Sequence, residues 1–257
     1  MTNGWNESAS AWIADIGEEG DFGRKFVLDA PMIERLRDKG YRNGLDVGCG
    51  EGRFCRMLGA MGIKTVGIDP TEALIQHARR QDADGDYRIG RAEALEFPDR
   101  SFDLVVSYLS MIDIPDVKTG IAEMARVLKP GGTLLIANLT SFNTAGQPAA
   151  WVKEADGTQR FFIDRYMEER AEWVRWRGIR VQTWHRPLSS YMSLLLNQGL
   201  ELRHFSEPMP SPSADPMRSE LHRRVPYFLI MEWRKPACVQ AHRSESIATS
   251  TSDVLQA

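Results

Sequence analysis

Leu45-Asp46-Val47-Gly48-Cys49-Gly50-Glu51-Gly52-Arg53-Phe54 decides the fold of this chain. It reads as the end of a buried strand, a turn with three glycines and the start of a helix. Such a turn presents backbone N–H groups with no side chain in the way, at the positive end of a helix. The next strand, Ile63-Lys64-Thr65-Val66-Gly67-Ile68, ends at Asp69. A carboxylate there is placed to accept hydrogen bonds from the two hydroxyls of a ribose. Together the two features imply an adenosine-containing ligand.

Spacing narrows the choice. A nicotinamide fingerprint, G-x-G-x-x-G, would put its third glycine at position 53, which is Arg53. The pattern is G-x-G-x-G, with Asp46 two residues ahead, and no Gly-Lys-Ser/Thr follows to make a P-loop. The plain alternative is a strand-turn-helix whose glycines serve only tight packing.

Outward from this stretch, strands and helices alternate. Phe102–Ser107 is a near-continuous apolar run of the kind a parallel sheet buries on both faces. Val117–Leu128 carries Ile121, Met124, Ala125 and Leu128 on one face, and Lys129-Pro130-Gly131-Gly132 is expected to stop it before a strand over Thr133–Leu139. Asp86–Ile89 reads as a third strand, and Leu188, Tyr191, Met192, Leu195 and Leu196 mark a late amphipathic helix. Leu200–Phe205 and Tyr227–Trp233 read as two late strands. The alternation predicts an α/β fold, a doubly wound sheet with helices on both faces.

Two regions depart from the alternation. Residues 1–40 read as an N-terminal helical cap: short aromatic and acidic helices over the ligand edge, then a helix from Pro31 to Lys39 capped by Asp29. Residues 141–187 form an insertion rich in aromatic residues and arginine, long enough to have its own structure and to cover a site as a lid. Its tryptophans, Trp173, Trp176 and Trp184 among them, either stack on a bound acceptor or form the lid's own core. The main domain is expected over 41–236, and the polar, serine-rich residues 237–257 read as a disordered tail.

At 257 residues, 42% hydrophobic and 26% charged, the chain suits one soluble domain with an elaboration. The net charge of -3 argues against a nucleic-acid partner. No apolar run is long enough for a membrane span, and Met1–Glu7 has neither a basic region nor an apolar core, so no signal peptide is expected. Cys49, Cys55 and Cys238 lack metal-ligand spacing, which predicts no metal and fits a reducing cytoplasm. Cys49 reads as a packing residue rather than a nucleophile.

Five segments in order, L-D-V-G-C-G-E-G-R-F, G-I-D-P, R-A-E-A-L-E-F-P-D, S-F-D-L-V-V-S-Y-L and V-L-K-P-G-G-T-L-L-I, resemble the class I S-adenosylmethionine-dependent methyltransferases. The likeness is to their small-molecule branch, which includes the ubiquinone and menaquinone biosynthesis enzymes and many natural-product enzymes. It covers residues 41–140 strongly and 185–236 more loosely. The resemblance implies a Rossmann-like seven-stranded sheet of order 3-2-1-4-5-7-6, with S-adenosylmethionine as methyl donor and S-adenosylhomocysteine as product. It implies that Gly48, Cys49 and Gly50 border the methionine part, with Asp46 near its ammonium. Asp69 would take the ribose, Pro70 and Thr71 would edge the adenine, and Ala92 and Glu93 would lie beside it. Ser107 and Tyr108 would line the reactive end. Many relatives carry an acidic residue where Arg91 stands, so that adenine contact falls to Glu93, to backbone or to nothing.

Methyl transfer is an in-line displacement, so the chain must position an acceptor and exclude water. A base helps where the acceptor must lose a proton. His185, after the aromatic insertion, is the first candidate base, against a packing role at a loop-to-helix junction. Asp113 is the second, against a role as a loop carboxylate. Tyr108 is expected either to hydrogen-bond the acceptor or to pack in the wall. The expected function is methylation of an O or N atom of a small molecule by a cytoplasmic monomer or homodimer. Methylation of RNA or protein, and a module that binds the donor without turnover, are the alternatives.

Overall fold

The computed structural model describes residues 3–148 and 150–237; the tail expected over 237–257 lies, from Cys238 on, outside them. The glycine turn joins β1 (Asn43–Val47) to α3 (Arg53–Ala60), which is preceded by α1 (Trp5–Ile16) and α2 (Asp29–Leu36). The alternation continues through β2 (Lys64–Asp69), α4 (Glu72–Gln81), β3 (Asp86–Ile89), β4 (Phe102–Tyr108), α5 (Val117–Val127) and β5 (Leu128–Leu139). A short α6 (Ser141–Ala145), β6 (Trp151–Lys153), β7 (Gln159–Phe161), β8 (Arg170–Trp176) and β9 (Ile179–His185) make up the insertion. The chain then completes the sheet with α7 (Leu188–Asn197), β10 (Glu201–Ser206), α8 (Pro216–Arg224) and β11 (Phe228–Arg234).

The seven-stranded sheet runs β3-β2-β1-β4-β5-β11-β10. Its first five strands are parallel, and β11 lies antiparallel between β5 and β10. This is the expected 3-2-1-4-5-7-6 order. β4 and β5 run through the middle, so their side chains are buried on both faces. Alternation then sorts them. Val105, Leu134 and Ile136 meet Ile121 and Met124 of α5 and Tyr191 and Leu195 of α7. Leu104, Val106 and Leu135 meet Met32 and Leu36 of α2 and Phe54 and Leu58 of α3.

Several boundaries differ from expectation, each for a physical reason. β5 begins at Leu128, which pairs with Phe102; Lys129–Gly132 then bulge before pairing resumes at Leu104–Thr133. Lys235 holds that corner, its Nζ donating to the carbonyls of Ala125 and Leu128 at 2.6 and 2.9 Å. Asp29 does not cap a helix. A π-helical turn, Arg24–Leu28, runs straight into α2, and the Asp29 carboxylate is taken by Arg53 and by the Tyr108 hydroxyl.

The insertion holds two antiparallel hairpins, β6–β7 and β8–β9. The second is bound to α1: the Ser8 hydroxyl donates to the Arg180 carbonyl and accepts from the Arg180 N–H, both at 3.0 Å, and Gln182 N donates to Asn3 O at 2.8 Å. Gly4 is required at this contact. Its φ is +84°, and a Cβ would lie 2.3 Å from the Arg180 carbonyl oxygen. Ala9, Trp12 and Ile16 of α1 pack with Ile179, Val181 and Leu74 in a small third core.

Candidate functional site

The glycine turn is fixed to its neighbour strand. Gly48 N and Cys49 N both donate to the Ile68 carbonyl, at 2.8 and 2.9 Å. Gly50 N donates to Asp69 Oδ2 at 3.0 Å, and Thr71 N donates to Asp69 Oδ1 at 2.8 Å. Asp69 thus ties the turn to the start of α4 while lining a cavity of about 400 Å³. Gly48 and Gly50 have φ of +79° and +56°, values that disfavour any side chain. A Cβ on Gly48 would strike Ser110 Cβ at 2.3 Å, whereas one on Gly50 would meet nothing nearer than Trp12 Nε1 at 4.0 Å. Space above Gly50 is therefore open to a ligand.

Asp46 lies 1% exposed beneath the turn. Its Oδ2 accepts from the Cys55 thiol at 3.5 Å, and its Oδ1 has no partner. Burial, with the carboxylates of Glu51 and Asp69 nearby, pushes its pKa up to about 7. Asp69 is also raised by burial, opposed by the two backbone N–H groups it accepts. Burial pushes the Cys49 thiol well up, which suits a packing residue and not a nucleophile.

Of the residues expected from sequence, Asp46, Gly48, Cys49, Gly50, Asp69, Pro70, Thr71, Ala92, Glu93, Tyr108 and Asp113 all line this one cavity. Arg91 lines it too and pairs with Glu93 at 3.0 Å. Asp113 sits on a 3₁₀ turn, Met111–Asp113, with Oδ1 buried and unpartnered. Burial, then the nearby Asp69 charge, raises its carboxyl well above the usual range.

Four expectations need correction. Ser107 does not reach the cavity: it is inside β4, fully buried, with its hydroxyl 2.7 Å from that of Ser110, and Ser110 lines the wall in its place. Tyr108 reaches the wall, but its hydroxyl donates to Asp29 Oδ1 at 2.8 Å, and burial and Asp29 hold the phenol well above its ordinary pKa. It is a poor base. His185 is away from the cavity and 1% exposed. Its Nδ1 is 2.8 Å from the Thr144 hydroxyl and its Nε2 is 2.8 Å from the Tyr166 carbonyl. Both ring nitrogens are occupied inside the insertion, and burial lowers the pKa.

Trp173, Trp176 and Trp184 also miss the cavity. Trp173 lies under Arg180 at 3.9 Å, Trp176 packs on the α1 core, and Trp184 lies under Arg186 at 4.8 Å. The hairpin turns them toward their own neighbours.

Beside the rings of Phe54 and Tyr108, the site takes two more from α1. Trp5 and Trp12 line it, with centroids 5.5 Å apart and planes at 84°. Trp12 Nε1 donates to Glu51 Oε2 at 3.2 Å. Arg24, from the π-helical turn, lies 4.8 Å over the Trp12 ring and 5.6 Å over that of Tyr108. It also pairs with Asp21 at 2.9 Å. A sequence signal was present: Trp5 and Trp12 are seven apart, on one face of a helix.

The methyltransferase domain family matches residues 45–136, the span from β1 to β5. A malonyl-[acyl-carrier protein] O-methyltransferase of Erwinia pyrifoliae is 36% identical over 120 residues, 47% of this chain and 46% of that one. A ubiquinone biosynthesis O-methyltransferase of Maricaulis maris is 35% identical over 128 residues, 46% of this chain and 50% of that one. The chain spans about half the length of these relatives. Among solved structures, an S-adenosylmethionine dependent methyltransferase from Mesorhizobium loti superposes with a TM-score of 0.71 at 27% identity, covering 85% of this chain and 100% of that one.

Proposed function

We propose that this chain, which belongs to the class I S-adenosylmethionine-dependent methyltransferases, transfers a methyl group from S-adenosylmethionine to an O or N atom of a small-molecule acceptor. The observation that carries the reading is the buried Asp46 carboxylate, whose Oδ1 has no partner beside an open glycine turn. A buried polar atom without a partner is costly, and a ligand ammonium would supply one, directly or through water.

The other residues fit the same ligand. Asp69 would hold the ribose, and Pro70, Thr71, Ala92 and Glu93 the adenine edge. Arg24, paired with Asp21 and lying over the Trp12 and Tyr108 rings at the cavity wall, is the cation for the methionine carboxylate. Asp21 keeps Arg24 charged although burial works against it. When bound, the sulfonium supplies an activated methyl carbon.

The chain's own work is positioning and exclusion of water. Gly48 and Gly50 let the backbone approach closely, Tyr108 and Phe54 wall one side with rings 4.8 Å apart, and α1 roofs the cavity with Trp5 and Trp12. A roof of this kind suits a small acceptor better than a strand of RNA or a folded protein. No helix of the described residues is long and apolar enough to cross a membrane.

Calorimetric titration with S-adenosylmethionine, followed by a metabolite screen for S-adenosylhomocysteine release, tests the reading. One site per chain and release with at least one small acceptor are expected. Binding without release over a broad screen would favour a silent donor-binding module, and absence of binding would remove the reading altogether.

A further inference from the structure

We propose that the acceptor is an amine that enters as an ammonium ion, sits in the corner between Trp5 and Trp12, and gives its proton to Asp113. This rests on the donor assignment just made. Five carboxyl groups, Asp46, Glu51, Asp69, Glu93 and Asp113, line the cavity. Its three arginines are each matched already: Arg53 with Asp29, Arg24 with Asp21 and Arg91 with Glu93. The wall therefore carries more carboxyl groups than cations left to pair with them.

The donor's groups account for most of those carboxyls. Its ammonium goes to Asp46, its ribose to Asp69 and its carboxylate to Arg24, while Glu51 is held by the Trp12 indole. Asp113 is left over. It faces the Trp5 indole, and its Oδ1 is buried without a partner. A carboxylate acceptor would add another negative charge to this wall, whereas an ammonium would neutralise it.

The aromatic walls favour the same choice. Trp5 and Trp12 stand nearly perpendicular, 5.5 Å apart, a shape that offers ring faces to a cation. Trp12 already accepts one, the Arg24 guanidinium. Both tryptophans lie ahead of the segment 45–136 that the methyltransferase domain family matches, so that match does not speak to this corner.

The proton balance is simple. An ammonium N–H proton moves to the ionised Asp113 carboxylate, which leaves a neutral amine with a free lone pair and a neutral carboxylic acid. Burial raises the proton affinity of Asp113 and so narrows its gap to an ammonium. The proton returns to water when the product leaves.

Three probes of one shape separate the possibilities: 3-phenylpropylamine, 3-phenylpropanol and 3-phenylpropanoate. Each is titrated into the full chain loaded with S-adenosylhomocysteine, with tryptophan fluorescence as the readout. The amine is expected to bind about tenfold more tightly than the carboxylate, between the values of an exposed and a fully desolvated cation–π contact, with the alcohol between. Asp113→Asn is expected to erase the amine's advantage while S-adenosylhomocysteine affinity holds, and Trp5→Leu to weaken the amine most. Equal or tighter binding of the carboxylate, or no binding of the amine, overturns the proposal while the donor reading stands. Failure of S-adenosylhomocysteine itself to bind removes the donor reading and this proposal with it.

Discussion

Affinity for S-adenosylmethionine should rise with pH through neutrality, and the size of the rise follows from Asp46. Its carboxyl is 1% exposed and titrates at about 7. Only the ionised form attracts an ammonium. With a midpoint there, about three-quarters of the sites are ionised at pH 7.5 and about one-tenth at pH 6. Affinity should therefore fall about eightfold between the two, or about 1.2 kcal/mol, with nearly one proton released per ligand bound at pH 6. Asp69, also raised by burial, adds in the same direction. Calorimetry in two buffers of different ionisation enthalpy reads both affinity and proton release. Folding stability should move the opposite way. A carboxyl with a raised folded-state pKa contributes stability that is complete below its ordinary pKa near 4 and is lost as pH rises through about 7. This contribution makes the ligand-free protein melt higher at pH 5.5 than at pH 8. Asp46→Asn should flatten both dependences. An affinity independent of pH, with no proton released at pH 6, would refute the placement of an ammonium at Asp46.

Other consequences are open to direct measurement. Gly48→Ala forces a Cβ to within 2.3 Å of Ser110 Cβ at a φ of +79°; a loss of about 1–3 kcal/mol in urea unfolding is expected, with donor binding abolished. Arg186 is 2% exposed and donates to the carbonyls of Ile114 and Pro115 at 2.8 and 2.9 Å. Arg186→Met strands those acceptors and should cost about 2–4 kcal/mol, read as a lower Tm; an unchanged Tm would show that the turn carrying Asp113 is held by something else. His185→Ala should lower Tm and leave donor affinity intact. A turnover loss of 100-fold or more without loss of stability would restore the base role that the geometry denies it.

The part of the cavity wall around the glycine turn was legible because it is local. Asp46, the glycines and Asp69 lie within 24 residues of each other in two consecutive strand ends, and turn chemistry fixes their geometry wherever the rest of the chain goes. The part of the wall formed by α1 was not. Trp5 and Trp12 are placed by contacts between α1 and β9, about 170 residues away, and the seven-residue spacing that puts them on one face did not say what that face covers. His185 was misplaced for the same reason: its environment, Thr144 and the Tyr166 carbonyl, is made by the fold of the insertion. Asp29 looked like a cap because its helix has Pro31 in the first turn; the π-helical turn upstream and the pull of Arg53 and Tyr108 gave its carboxylate other work. Strand order followed from family resemblance, since periodicity alone cannot insert β11 between β5 and β10.

A crystal structure with S-adenosylhomocysteine bound tests the central claim most directly. The account predicts the ligand in the cavity above Gly48 and Gly50, with its ribose hydroxyls on Asp69, its ammonium at Asp46 and its carboxylate on Arg24. Its sulfur should point toward the corner formed by Trp5, Trp12 and Asp113. A ligand bound elsewhere, or in this cavity with Asp46 and Asp69 both free of it, would contradict the account.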